Sequence, residues 1–263
     1  MFGALKQKLI FTISTKVTDT TQKRTRNQEQ FKKHECELHR RLHRYASDCR
    51  ADFRIETPEV QDYDDLNIWK IKQWENHLND YEEVMYLDFD IVPNTNVSIF
   101  EKFNFDKLIT HLIPTPLTRF VYSEFDLEDK ESFVKTLDKY HWYIKTKQMH
   151  DMLLSQLIRP KNEWMMNTGT FGGSRRVRDE LRFSERLDEV KQVVDEVKDI
   201  DDRYFYNNET MLTYMIERYD VPVENLPVHW HQLILNGTDL RVCKTSSLIH
   251  VITKDFENVF KNL

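Results

Sequence analysis

The sequence predicts one α/β domain in which helices flank a mostly parallel central sheet. The first observation is that short apolar strand segments alternate with amphipathic helical segments through residues 1–93, an order that favours parallel neighbouring strands. The second is a pair of aspartates directly after an apolar strand, because ligand sites of open α/β sheets lie at the carboxyl ends of strands. A chain of 263 residues, 40% of them hydrophobic, can bury one large core, so we expect a single domain over 1–263.

The elements of the first part are predicted from apolar spacing. Leu38, Leu42 and Tyr45 recur at helical intervals, whereas residues 84–87 form a continuous apolar run that is typical of a buried strand. The predicted strands are 8–15, 51–55 and 84–87, and the predicted helices are 27–46 and 66–81. Asp88 and Asp90 therefore follow the third strand of a β-α-β-α-β array.

The second part has a less regular pattern. Three of the five glycines lie between residues 169 and 173, and a highly charged segment with a sparse apolar stripe follows them. An asparagine is in place to cap the helix that begins near residue 206. The predictions are a strand end and loop at 111–116, helices at 128–158, 175–199 and 206–214, and strands at 228–231 and 246–251.

Composition limits the classes of partner. The net charge of −6 does not suggest nucleic-acid binding, although the first 50 residues carry 12 Lys/Arg against 5 Asp/Glu. That basic segment would suit an anionic ligand or a membrane surface, or it is simply a solvated helix face. Three scattered cysteines favour a reducing compartment. With no apolar run of about 18 residues and no secretory pattern, we expect a cytoplasmic protein without a membrane span.

Asp88 and Asp90 form the first candidate site. If the strand continued through them, both carboxylates would lie on one face, because strand side chains alternate. Two such carboxylates repel each other and lose hydration, and a divalent cation relieves both costs. From these residues alone, a solvated strand-to-turn junction remains the other interpretation, since aspartate is common in turns.

Residues 167–174, N-T-G-T-F-G-G-S in one-letter code, form the second candidate site. The glycines would permit a close backbone approach or a positive φ. A glycine-rich turn between two strands would explain the same pattern. Near the C-terminus, His229 and His231 would share one face of the predicted strand, and His250 would end the last strand.

The aspartate pair and the N-T-G-x-F-G-G segment, in this order, resemble the motifs of nucleotide-sugar-dependent glycosyltransferases of the GT-A fold. Residues 69–74, W-K-I-K-Q-W, are similar to the T-K-L-x-x-W segment that precedes D-x-D in glycogenin-like members, and the galactosyltransferase-like members share the D-x-D pattern. The resemblance implies a Rossmann-like GT-A domain. Residues 1–93 would form its nucleotide-binding half, and residues 94–263 its sugar- and acceptor-binding half.

The same resemblance implies a set of site residues. Asp88, Asp90 and a late histidine, His250 or else His231, would bind Mn²⁺ or Mg²⁺. The remaining assignments are Lys70 and Lys254 on the diphosphate, Thr12 to Thr15 near the nucleotide, Asn167 and Gly169 at the sugar, and Glu209 as the acid at the reaction centre. The implied donor is a nucleotide-diphosphate sugar, with UDP the commonest nucleotide, and the acceptor is a glycan, a lipid-linked sugar or another molecule.

Two other classes remain open at this point. The D-x-D-x-V pattern that ends at Val92 also resembles the first motif of dehalogenase-type phosphohydrolases, in which Asp88 would be the nucleophile and Asp90 the acid/base. That motif normally follows the first strand, whereas here it follows the third. A non-catalytic carbohydrate-binding protein would keep the same fold but would not require the intact aspartate pair.

Overall fold

The structure, a computed structural model, describes residues 6–14, 22–58, 63–115 and 130–263. Its strands are β1 (Lys6–Ile13), β2 (Asp52–Glu56), β3 (Tyr81–Leu87), β4 (Ile91–Pro93), β5 (Leu108–Pro114), β6 (Trp164–Ser174), β7 (Val223–Asn225), β8 (Gln232–Leu233) and β9 (Leu248–His250). Its α-helices are α1 (Gln22–Asp48), α2 (Tyr63–His77), α3 (Ile99–Lys102), α4 (Lys130–Ser155), α5 (Arg175–Leu181), α6 (Phe183–Lys198), α7 (Asn208–Arg218) and α8 (Phe256–Lys261).

Six strands form the central sheet in the order β2-β1-β3-β6-β5-β7. Strand β6 is antiparallel to both of its neighbours, and the other three pairings are parallel. The predicted α/β class with a mostly parallel sheet is therefore confirmed. No helix in the described part of the chain has both the length and the apolar character of a membrane span.

Helices cover both faces of this sheet because the central strands are apolar on both sides. In β3, Val84 packs into one hydrophobic cluster with Trp74 of α2, whereas its neighbour Met85 packs into another with Leu42 and Tyr45 of α1. This alternation follows from the two-residue period of a strand. Strand β3 is therefore buried on both faces, and the two aspartates lie at its carboxyl end.

A second, three-stranded sheet lies beside the end of β3. Its order is β4-β9-β8, with β4 and β9 antiparallel and β8 and β9 parallel. Ile91, the first residue of β4, pairs with His250, the last residue of β9. The small sheet thus brings a residue from the C-terminal part of the chain next to Asp90.

Two local predictions were wrong, and one open alternative is excluded. The charged segment 175–199 is two helices, because Arg182 adopts φ 47° and Glu75 of α2 accepts hydrogen bonds at the new helix start from the backbone N–H groups of Phe183 (2.5 Å) and Ser184 (2.9 Å). Residues 228–230 form a 3-10 helix instead of a strand, so His229 is exposed while His231 is buried. The glycine-rich segment is strand β6 and not a turn, and none of its glycines has a positive φ.

The glycines of β6 serve close packing. A Cβ on Gly172 would lie 2.5 Å from Sδ of Met85 and 2.8 Å from the carbonyl oxygen of Val84 on β3. The three atoms nearest to a Cβ on Gly173 would belong to the side chains of Val177 and Trp74, at 3.0–3.3 Å. Gly172 therefore has less space around it than Gly173.

We expect Gly172→Ala to lower the free energy of unfolding by about 1–3 kcal/mol, since the added methyl group overpacks a backbone that cannot move aside. Gly173→Ala is the matched control and should cost clearly less, because side chains can adjust to the new methyl group. Urea unfolding followed by circular dichroism measures both. Equal losses in the two variants would contradict this account of the sheet.

Candidate functional site

The two aspartates lie in a turn, and β3 does not continue through them. The backbone N–H of Ile91 donates to the carbonyl of Asp88 at 2.9 Å, and the chain turns from β3 into β4. The expectation that a continuing strand aligns the carboxylates was therefore wrong, although the carboxylates still converge. One ligand atom from each of Asp88, Asp90 and His250 lies within 4.8 Å of the others, which makes these residues a candidate metal site.

His250 reaches this turn through the small sheet. The backbone N–H of Val251 donates to the carbonyl of Asp90 at 3.0 Å, which fixes the end of β9 against the turn. Nε2 of His250 lies 3.3 Å from Oδ2 of Asp90 and 3.8 Å from Oδ2 of Asp88. Two carboxylates and one imidazole on one side of a cation match the donor set that Mn²⁺ accepts, with further positions left for water or phosphate oxygens. The residues therefore fit the predicted metal.

Two lysines balance the charge of the aspartates. The ammonium group of Lys254 contacts the carboxylate of Asp90, and that of Lys70 lies 3.5 Å from Oδ1 of Asp88. The hydroxyl of Tyr86 also donates to Oδ1 of Asp88. Burial favours the protonated form of Asp90, but the charges of Lys254 and His250 outweigh it and hold the pKa of this carboxyl below its usual value. Both carboxylates thus have a cationic partner inside the protein.

Strand β6 brings the second motif to the same place. The backbone N–H of Asp88 donates to the carbonyl of Gly169 at 2.7 Å. A Cβ on Gly169 would lie 2.3 Å from Cε1 of His250, so only glycine lets the imidazole approach the strand. The side-chain carbonyl of Asn167, which is buried, accepts from the backbone N–H of Gly169 at 3.0 Å. Gly169 therefore makes room for His250 in this structure.

Glu209 lies at the start of α7, where Asn207 caps the helix by accepting from the backbone N–H groups of Glu209 (3.0 Å) and Thr210 (3.1 Å). The carboxylate of Glu209 forms a buried ion pair with Lys145 of α4. It also accepts from the backbone N–H of Thr168 at 3.4 Å. Thr168 lies between Asn167 and Gly169 in the sequence. Its hydrogen bond therefore connects Glu209 to this segment.

No local pattern of residues indicates a functional role for Lys145. Its ammonium group lies 4.5 Å from the ring centroid of Trp142, one turn away, but only the tertiary structure brings it to Glu209. Tyr86 could have been identified, because it precedes Asp88 by two residues and strand side chains two apart share a face. Thr12 is buried in β1, and its hydroxyl has no hydrogen-bond partner among the described residues. Thr15 lies outside the described residues.

His231, the other candidate ligand, lies behind His250. Nε2 of His231 is 3.3 Å from Nδ1 of His250, the nitrogen that faces away from the carboxylates. The ring of His231 stacks on that of His111 with centroids 5.3 Å apart. Burial, reinforced by these two neighbours, holds the pKa of His231 well below its usual value, so its imidazole is neutral at neutral pH. This geometry favours His250 over His231 as the third ligand.

No protein-family model matches this sequence, and no curated protein matches it. Among solved structures, the chain is similar to a glycosyltransferase involved in the glycosylation of the major capsid of PBCV-1. The similarity covers 97% of each chain, with 13% sequence identity and a TM-score of 0.48. At this identity and TM-score, the similarity supports no conclusion about activity.

We expect Lys145→Met to destabilise the protein by about 3–5 kcal/mol, because it leaves the buried carboxylate of Glu209 without its cation. Adding Glu209→Gln to this variant removes the unpaired charge and should recover a large part of the loss. Urea unfolding of the two single variants and the double variant gives the coupling energy. A cost below about 1 kcal/mol for Lys145→Met, the range of exposed pairs, would contradict a buried pair.

Proposed function

We propose that the protein is a metal-dependent glycosyltransferase that moves a sugar from a nucleotide-diphosphate sugar, with UDP as the first nucleotide to test, to an acceptor. The observation that carries this proposal is the meeting of three distant segments. The turn after β3, the N-T-G segment of β6 and the end of β9 contact one another through Asp88, Gly169 and His250. The family resemblance requires these segments to form one site.

The charge balance of the site also supports the proposal. The two carboxylates of Asp88 and Asp90 are matched by the two ammonium groups of Lys70 and Lys254. A divalent cation would therefore leave an excess of about two positive charges at a partly buried point, and that excess needs an anionic partner. The diphosphate of a nucleotide sugar supplies two negative charges. Metal and donor should consequently bind together more strongly than either binds alone.

The residues then have the following roles. Asp88, Asp90 and His250 would hold the metal, which neutralises the diphosphate and makes it a better leaving group. Lys70 and Lys254 can release their carboxylates to the metal and turn to phosphate oxygens. Asn167 and Gly169 would border the donor sugar, and Thr12 and Thr15 the nucleotide. The family resemblance implies these positions at the sugar and at the nucleotide.

Glu209 would act at the reaction centre. Its carboxylate, which pairs with Lys145, would stabilise the positive charge that develops on a sugar ring during transfer. Residues 1–93 contribute the aspartates and Lys70, whereas 94–263 contribute Glu209, His250 and the N-T-G segment. The site is thus built from both of the halves that the sequence predicts.

The first test is thermal unfolding of the wild type and of Asp90→Asn with a panel of nucleotide sugars, each with and without Mn²⁺. A ligand that binds only the folded state raises the melting temperature, by an amount equivalent to about 2.7 kcal/mol at 100 times its Kd. We expect one nucleotide sugar to stabilise the wild type only when Mn²⁺ is present. Asp90→Asn should lose this stabilisation, because it removes a ligand and its charge.

Asp202→Asn is the matched control, since Asp202 is an exposed aspartate away from the turn, and it should respond to the donor as the wild type does. The same proteins are assayed with a simple phosphate ester. Release of phosphate by the wild type and by Asp202→Asn that is lost in Asp90→Asn, without stabilisation by any nucleotide sugar, would reject the transferase and favour the phosphohydrolase.

A further inference from the structure

Three histidines from different parts of the chain form a buried row behind the candidate metal site. His250 is next to the aspartates, His231 follows it through a contact of 3.3 Å between Nδ1 of His250 and Nε2 of His231, and His111 stacks on His231. All three rings are buried. Only the first belongs to the proposed metal site, so the other two need a separate explanation.

The contact between His250 and His231 is a hydrogen bond with a proton on one of its two nitrogens. Two ring nitrogens at this distance form a hydrogen bond only if one carries a proton and the other offers a lone pair. Nε2 of His250 faces Asp90 and Asp88 and must offer its own lone pair to bind a metal. With a metal on Nε2, the proton of His250 is on Nδ1, and Nε2 of His231 is the acceptor. The proton of neutral His231 is then on its Nδ1, a buried atom without a hydrogen-bond partner among the described residues.

The surroundings fix these rings in place. Gly169 leaves space for the imidazole of His250, where a Cβ would lie 2.7 Å from Nδ1. On the far side, Nδ1 of His111 lies 2.8 Å from the carbonyl oxygen of Leu226 and must donate to it. His231 therefore packs between His250 on one side and His111 on the other.

We propose that His231 is a positioning residue for the metal site: its Nε2 accepts the Nδ1–H of His250 and thereby keeps Nε2 of His250 free to bind the metal. This inference rests on one part of the proposed function, the binding of a metal at Asp88 and Asp90. Groups that orient a metal-binding histidine in this way typically contribute about 10–100-fold to metal affinity. His231 itself makes no bond to the metal.

The test compares His231→Phe with His231→Gln. Phenylalanine keeps a ring against His111 but has no acceptor, whereas the amide oxygen of glutamine can accept near the position of Nε2. We expect His231→Phe to weaken Mn²⁺ binding about 10–100-fold and His231→Gln to stay within about three-fold of the wild type, as measured from the free Mn²⁺ signal by electron paramagnetic resonance. His111→Phe is the control, and it should also stay within about three-fold.

Circular dichroism and melting temperature establish that each variant is folded. If His231→Phe does not fold, ¹⁵N NMR of the imidazoles in the wild type, with diamagnetic Cd²⁺ in place of Mn²⁺, gives the answer independently. We expect a proton on Nδ1 of His250 and an unprotonated Nε2 on His231.

The inference is overturned if folded His231→Phe binds Mn²⁺ as tightly as the wild type, or if the NMR spectrum places the proton on Nε2 of His231. In either case the donor test with Asp90→Asn still stands, so failure of this inference is distinguishable from failure of the proposed function. A wild type that binds no Mn²⁺ overturns this inference and the metal dependence together.

Discussion

The arrangement of this molecule depends on the cost of placing two carboxylates at the end of its central strand. Asp88 and Asp90 follow β3, which is buried on both faces, so water alone cannot offset their repulsion. Lys70, Lys254 and His250 provide the compensation, and they come from α2, the segment after β9, and β9 itself. Elements that are far apart in the sequence are thus tied to one turn by charge.

The second constraint on the structure is that β6 must pack closely against its neighbours, and two glycines make this possible. At Gly172 the missing side chain lets β6 pair closely with Met85 on β3, which stabilises the central sheet. At Gly169 the missing side chain leaves space for the imidazole of His250 beside the two aspartates. Because both residues lie on one extended strand, the packing of the sheet also places the N-T-G segment against the candidate metal site. The neighbouring glycines of one motif therefore have different physical roles.

The fold class was predictable because it depends on short-range patterns, whereas the convergence of Asp88, Gly169 and His250 was expected only from the family resemblance. An apolar run before two aspartates, and amphipathic helices between strands, are visible within a few residues. The break at Arg182 was not predictable, since the carboxylate of Glu75 that caps the new helix comes from another helix. The same holds for Lys145, and for His231, where strand alternation predicted the wrong local structure. Each of these depends on a contact between distant residues.

The structure contains two charged clusters that are each close to neutral, and strand β6 connects them. One cluster is the aspartate turn with its lysines, and the other is the pair of Glu209 and Lys145. Residues 167–169 touch both, through the carbonyl of Gly169 on one side and the N–H of Thr168 on the other. Under the proposed function, a donor whose diphosphate binds at the candidate metal site would extend along this segment toward Glu209. The paired carboxylate of Glu209 would then face the positive charge that develops on the sugar as the diphosphate leaves.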